Sequence, residues 1–543
     1  MTLSPPRPVP VPLPPIDDDA TVPARRPRRP VALLGASLLV VAVLALPLAF
    51  LLTEADGAGA SNVWHLIWRS LTASLLWNTV RLTVVVTLLC AAIGTLAAYG
   101  VERTDLPGRR VWAVLVVVPF AVPDFVVSFG WNSLSVWVQG FRGAVLVMTL
   151  AVYPLVYLPV AASLRGADPG QEEIARSLGA SGLSTFFRVT LGQARRAILG
   201  GCLLVALVIL AEYGAFEILG FQTFTTEIFT EFDSGLFATS TACALSLVLV
   251  VLSLVVLVGE SASRGGGRVS RVGSGTQRLL VRKQLGRARF PVLLGYAALV
   301  AAALGVPIGA CVYWIFEGGA HDISGTSLGS AALYTVAYSL SAAVLATVMA
   351  VPVALVTVRH PGRLHALLER TTFLVLAIPG LVVALAISYF STQYADDFAY
   401  QTAPLLVLAY SIMFFPLALV CVRASVAQSP VALEEVAGSL GVGRLRALRR
   451  VTLPLVAPGI GAALCLVFLS AATELTATLI LIPTNAQTLA TQFWVYQQNL
   501  SNGQAAPFAL VIIAIAAVPS YVLGRFFDRL PRRGTLQAPA VTT

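Results

Sequence analysis

The stretches EEIARSLGASGLSTFFRVTLGQARRAI (172–198) and EEVAGSLGVGRLRALRRVTLPLVAPGI (434–460) are one pattern written twice, 262 residues apart. Each opens on adjacent glutamates, reaches a glycine (Gly179, Gly441) after a short helical register, and carries the same RVTL (188–191 and 450–453). The offset also aligns Pro154 with Pro416, Leu183 with Leu445, Ile198 with Ile460 and Glu212 with Glu474. Upstream it falls to 256, as in Thr79/Thr335 and Pro123/Pro379. The chain is an internal duplication, and what one half builds the other builds again.

These loops are polar islands in an apolar chain. Of 543 residues, 57% are hydrophobic and 11% charged, and the mean hydropathy is +0.83. Average globular composition carries about 25% charged residues. So little charge cannot clothe a soluble enzyme, and so much apolar surface excludes a disordered or fibrous chain. Barrel strands alternate polar and apolar residues, whereas these runs are apolar all round. The fold class is therefore all-α, a polytopic membrane protein. A window of about 19 residues marks twelve spans: 31–53, 75–100, 111–134, 143–165, 197–219, 236–258, 291–316, 330–357, 371–391, 403–424, 458–482 and 507–527. Each is long enough to cross a hydrocarbon core of about 30 Å.

The net charge of +10 is almost all arginine, with Lys283 the one lysine. Basic residues collect on the cytoplasmic side. With an even span count and the N-terminus inside, all but Arg69, Arg81 and Arg142 of the 36 basic residues fall there. The balance thus reads as topology, not as a nucleic-acid surface. Residues 1–30, with ten prolines, form a disordered cytoplasmic tail. Residues 31–258 are the first transmembrane unit, 259–290 a Gly-, Ser- and Arg-rich cytoplasmic linker, 291–530 the second unit and 531–543 a cytoplasmic tail. Six cysteines lie in or beside apolar runs and read as small core residues. His65, His321, His360 and His365 show no ligand spacing, and no metal site is assigned.

Six spans per half give both halves one orientation, parallel repeats about an axis along the membrane normal, with a path between them. The repeated loop then asks why a membrane protein keeps a short helix in water twice. Asp168–Pro169, with Gln171, and Ser429–Pro430 are helix-start signals. Ile174/Leu178 and Val436/Leu440 share a face, and Gly179 and Gly441 stop the helix. A hairpin lying on lipid headgroups needs basic and apolar residues. It does not need Glu172–Glu173 and Glu434–Glu435 at one fixed spacing to glycine. A helix that docks into a partner's groove, with carboxylates at the rim, does.

The pattern Glu-(Ala)-Ala-x-x-x-Gly, followed later by an apolar residue before Leu-Pro, resembles the coupling-loop signature of binding-protein-dependent ABC importer permeases. Glu173, Ala175 and Gly179 match it, as do Glu435, Ala437 and Gly441; the first loop departs in having Leu191–Gly192 where the second has Leu453–Pro454. The resemblance covers nearly all the chain from about residue 75. It implies that two cytoplasmic ABC ATPase subunits dock on the loops, that an extracytoplasmic binding protein delivers substrate, and that the site is a bacterial inner membrane. No Gly-Lys-Ser/Thr phosphate loop exists here, since Lys283 follows Arg282. The chain is then non-catalytic, binds no cofactor, and leaves ATP to its partner. Fusion of two units looks like the ferric-iron permeases, with thiamine permeases close; polyamine and phosphonate importers share the loops. EYGAF (212–216) with TFTTEIF (223–229), and ELTAT (474–478) with TLATQFW (488–494), are similar to the iron group.

Within the spans, Glu212 and Glu474 occupy equivalent positions, and Asp124 follows Pro123. An intramembrane carboxylate is expensive and marks a pathway by default. Two readings stand open: acids flanking a cation path, or hydrogen-bonded glutamates pinning broken helices beside Gly214 and Thr476. A secondary transporter of two six-helix halves is the alternative from another class. The stretch DLPGRR (105–110) looks like a major-facilitator loop, but the second half offers only Pro361–Gly362–Arg363.

Overall fold

Proline and the paired acids decide where the apolar runs break. The computed structural model describes residues 31–57, 64, 68–167, 169–234, 239–263, 283–317, 325–359, 368, 371–372, 374–375, 377–394 and 400–529. Both tails, Asp168, the four histidines and most of the linker lie outside them. Among the described residues, ten helices are long and apolar enough to cross a membrane, or eleven if one bent pair is a single span. No strand is formed there; one isolated bridge joins Thr104 and Lys283.

The expected count of twelve is not reached among the described residues, and the third span of each half supplies the reason. Residues 109–121 and Asp124–Asn132 meet at a bend of 91°. Pro123, in extended backbone (φ −59°, ψ 141°), sits at the break, because proline has no N–H to continue the ladder. In the second half Pro379 precedes Gly380–Tyr394, a helix of only 15 residues. The fifth and eleventh spans also end early. Helix Leu191–Ala211 stops at Glu212, whose backbone is extended (φ −75°, ψ 134°), and Leu453–Ala472 stops at Thr473. The expected spans 197–219 and 458–482 are therefore each a long helix, a break, and a short helix (Gly214–Ile218, Thr476–Leu481).

After each break the chain turns into a second short helix, Phe224–Asp233 or Leu489–Gln498, and then into the last span. Both second helices open with the same capping box, Thr223 with Thr226 and Thr488 with Thr491. Both are hung from a distant hydroxyl: Phe224 N–H donates to Thr79 Oγ1 (3.3 Å) and Leu489 N–H to Thr335 Oγ1 (2.9 Å).

The first helix of each half crosses to the other. Val31–Gly57 shares a core with 342–356 and 381–387. Helices Arg289–Val300 and Val306–Glu317 share one with 97–219; Tyr296 Oη donates to Ala97 O (2.5 Å) and Trp131 Nε1 to Ala302 O (3.2 Å). The two sequence units thus fold as an interlocked body. Small residues let the backbones approach closely. A Cβ on Gly201 would lie 2.7 Å from Val156 Cα, and one on Gly94 2.9 Å from Tyr157 N. Both meet backbone, which cannot step aside. Overpacking of this kind costs about 1–3 kcal/mol or more. Gly201→Val is expected to lower the amount of folded protein in the membrane and its melting temperature; an unchanged melting temperature would contradict the packing described.

Candidate functional site

Each repeated loop folds into a short exposed helix, Pro169–Ser177 or Val431–Ser439. Gly179 (φ +85°) and Gly441 (φ +79°) end them in the left-handed region, where a side chain is strained. The closing bonds are the same in both copies. Gly179 N–H donates to Arg176 O and Ala180 N–H to Ala175 O; Gly441 N–H donates to Gly438 O and Val442 N–H to Ala437 O. That double bond is the Schellman motif. Ala437 is buried and Ala175 half-buried under the turn, while Ile174, Leu178, Leu183 and Phe187, and Val431, Leu433, Val436 and Leu440, stay exposed. Leu178 (82% exposed) and Leu440 (76%) give each helix an exposed apolar face.

The sequence places both acids of each pair at a partner-facing rim. The structure divides them. Glu173 and Glu435 are exposed, but Glu172 and Glu434 turn into the chain. Glu172 is buried; its Oε1 accepts from the Thr190 hydroxyl (2.9 Å) and lies 3.7 Å from Arg103 Nη2. Glu434 Oε1 accepts from the Thr452 hydroxyl and from Arg359 Nη1 (2.5 Å). Thr190 and Thr452 each close a π-helical turn, Phe186–Thr190 and Leu448–Thr452. Such turns insert an extra residue and collect at functional places.

The three intramembrane acids come together between the halves. Asp124 lies within electrostatic range of Glu474, and Glu212 of both. Each glutamate also caps the short helix after its break. Glu212 Oε1 accepts from Ala215 N–H (2.7 Å) and Glu474 Oε1 from Ala477 N–H (3.1 Å). Hydroxyls hold the broken backbone: Thr225 donates to Glu212 O (2.5 Å) and Thr478 to Glu474 O (2.7 Å). The pinning role anticipated for these residues is thus present in the fold. Glu474 further lines a small cavity with Thr335, Tyr338, Ser339, Tyr410 and Thr488. At the positions of Tyr338 and Tyr410 the first half has Leu82 and Met148, so this hydroxyl lining belongs to one side. No group of three or more His, Cys, Asp or Glu side chains among the described residues is placed to hold a metal ion.

At the far ends of the spans from the repeated loops, aromatic rings of the two halves pack against each other. Phe493 packs on Phe125 (5.2 Å between centroids) and edge-on to Phe129 (5.4 Å), and Trp494 lies 5.7 Å from Tyr213. Leu475 reaches so near Gly214 that a Cβ there would be 2.7 Å away. Sequence reasoning missed this layer, and it missed Arg103, Arg359, Thr190 and Thr452. The threonines stood inside the repeated RVTL and the arginines 256 residues apart, so the repeat itself carried the signal.

Comparison with known proteins gives the arrangement its place. Residues 90–262 and 342–534 each match the family described as binding-protein-dependent transport system inner membrane component. The chain is 34% identical over 504 residues to the Fe(3+)-transport system permease protein FbpB 2 of Haemophilus influenzae, covering 92% of this chain and 99% of that one. It is 27% identical to the sulfate transport system permease protein CysW of Synechococcus elongatus, over 45% of this chain and 92% of the relative. It is 25% identical to the molybdate/tungstate transport system permease protein WtpB of Pyrococcus furiosus, over 44% and 96%. Those two permeases are about as long as one half of this chain. With both halves matched and a permease relative similar over nearly its full length, this chain belongs to the family of binding-protein-dependent transport permeases.

Proposed function

We propose that the chain is the membrane permease of an ATP-driven importer of ferric iron. The observation that carries the cargo is the similarity over nearly the full length of both chains to an Fe(3+)-transport permease. The chemistry between the halves supports it. Three carboxylates flank that space, and the nearby cavity adds tyrosine, serine and threonine hydroxyls. Oxygen donors of this kind suit hard cations. Such acids offer no positive group to the oxyanions that the sulfate and molybdate permeases are named for. The donors are spread out, which suits a conduit: a cargo held weakly can leave, and affinity belongs to the binding protein.

In this reading two ATPase subunits dock, one on each loop, and a binding protein docks on the opposite face. ATP binding closes the ATPase pair, moves the docking helices, rocks the halves and parts the aromatic layer. Hydrolysis resets the closed state. Each state is favoured by its own contacts with the partners. The chain itself makes and breaks no covalent bond and needs no cofactor of its own. Its basic inner rim contacts lipid headgroups, both termini lie in the cytoplasm, and no nucleic acid takes part.

Thiamine, also a cation, is the competing cargo. Cells in which this permease is the sole route for either nutrient separate the two. Radiolabelled ferric iron is expected to accumulate and thiamine to stay at background. Accumulation of thiamine without iron would overturn the cargo assignment and leave the importer class standing.

A further inference from the structure

The docking helices are not merely joined to the spans by loops; each is fastened to two of them by a three-residue contact, buried in the first half and half-buried in the second. Arg103 ends helix Ser70–Arg103, Glu172 lies in the first docking helix, and Thr190 stands in the π turn that leads into Leu191–Ala211. Arg359, Glu434 and Thr452 repeat the arrangement at the end of Gly325–Arg359 and the start of Leu453–Ala472.

The duplication shows which contacts the two halves share. Neighbouring ion pairs do not recur. Glu102 pairs with Arg165 (2.7 Å) and Arg176 with Glu172 (3.6 Å), but the equivalent positions in the second half hold Val358, Ala427 and Gly438. The Arg–Glu–Thr contact is present in both halves. It also differs in closure: the arginine stands 3.7 Å from the carboxylate in one copy and 2.5 Å in the other.

The far ends of the fastened helices say what such a contact can move. Arg103 and Thr79 lie on one helix, 24 residues apart, as do Arg359 and Thr335. At about 1.5 Å per residue that is some 36 Å, the depth of the bilayer core and more. Thr79 carries helix Phe224–Asp233 on its hydroxyl, and Thr335 carries Leu489–Gln498, the helix that bears Phe493 and Trp494. The helices that follow Thr190 and Thr452 run to the breaks at Glu212 and Glu474. One carboxylate per half thus ties the docking helix to a rod ending at the aromatic layer and to another ending at the acids.

We propose that Arg103–Glu172–Thr190 and Arg359–Glu434–Thr452 are transmission latches, positioning residues that convert movement of the docked ATPase into movement of the closing layer. Glu172 and Glu434 act inside the permease, and contact with the ATPase falls to Glu173, Glu435 and the exposed apolar faces. Without the latches the docking helices still hold the ATPase, but their displacement is absorbed in the loops.

The test is Arg103→Met with Arg359→Met in the complete complex with its ATPase and binding protein. The ATPase is expected to co-purify and to hydrolyse ATP, while iron imported per ATP falls about tenfold, well inside the 5–150-fold range of site-to-site coupling. Exchanging the partners (Arg103→Glu with Glu172→Arg, Arg359→Glu with Glu434→Arg) is expected to restore most of that ratio. Where the methionine variant fails to reach the membrane, Thr190→Val with Thr452→Val decides, since valine keeps the shape and loses the hydroxyl; serine at both positions should behave as wild type. An unchanged ratio of transport to hydrolysis in the arginine or threonine variants would overturn the latch, as would loss of the ATPase from the complex, which would make these residues part of the docking surface.

Discussion

Reversing the exposed acid on both docking helices, Glu173→Lys with Glu435→Lys, is expected to abolish uptake while leaving the permease folded in the membrane. Both side chains are exposed, so their replacement removes nothing from the core. Each stands one residue from the latch glutamate, on a helix whose leucines Leu178 and Leu440 are largely exposed. A docked partner desolvates that rim, and a charge pair lost there costs about 2–5 kcal/mol. Even the lower figure is roughly a 30-fold loss of affinity at each site, and two sites act together. The check is retention of the ATPase by the purified permease, measured beside uptake. Full retention with normal uptake would show that the ATPase docks elsewhere.

The second large effect is expected from Glu212→Gln with Glu474→Gln. Glutamine keeps the carbonyl oxygen, so the caps on Ala215 and Ala477 survive and the broken helices keep their shape. What goes is the ionisable carboxyl at two of the three acids between the halves. If these acids lower the barrier to a cation, ferric uptake falls about tenfold, corresponding to roughly 1.4 kcal/mol, with ATPase assembly intact. Adding Asp124→Asn should deepen the loss. Unchanged uptake in the triple variant would leave Glu212 and Glu474 as caps alone. Alanine would be a poor substitute, since it removes charge and cap together and leaves a helix N-terminus without its acceptor.

Much of this architecture was legible in the letters because the chain says it twice. The glycine stops at 179 and 441, the apolar runs and the equivalence of Glu212 with Glu474 all follow from spacing. Other features resist such reading for physical reasons. A hydropathy window averages over a turn and more, so it passes through Pro123 and Glu212, where one residue's backbone ends the helix. Apolar runs carry no address, so nothing in 31–53 announces that this helix packs on the opposite half. Arg103 reads as an inside charge like any other; its contact with Glu172 joins residues far apart in sequence and exists only once the spans have packed. The adjacent glutamates look alike in the sequence, and only the helix face separates an inward-turned latch from an exposed rim.

Transport by the purified complex in vesicles tests ATP-driven import most directly. Permease and ATPase are reconstituted, binding protein loaded with radiolabelled ferric iron is supplied on the outer face, and ATP is supplied to the ATPase. Iron is expected to accumulate only when both binding protein and hydrolysable ATP are present. Accumulation without ATP, driven by an imposed proton or sodium gradient, would contradict the account and return the chain to the secondary transporters.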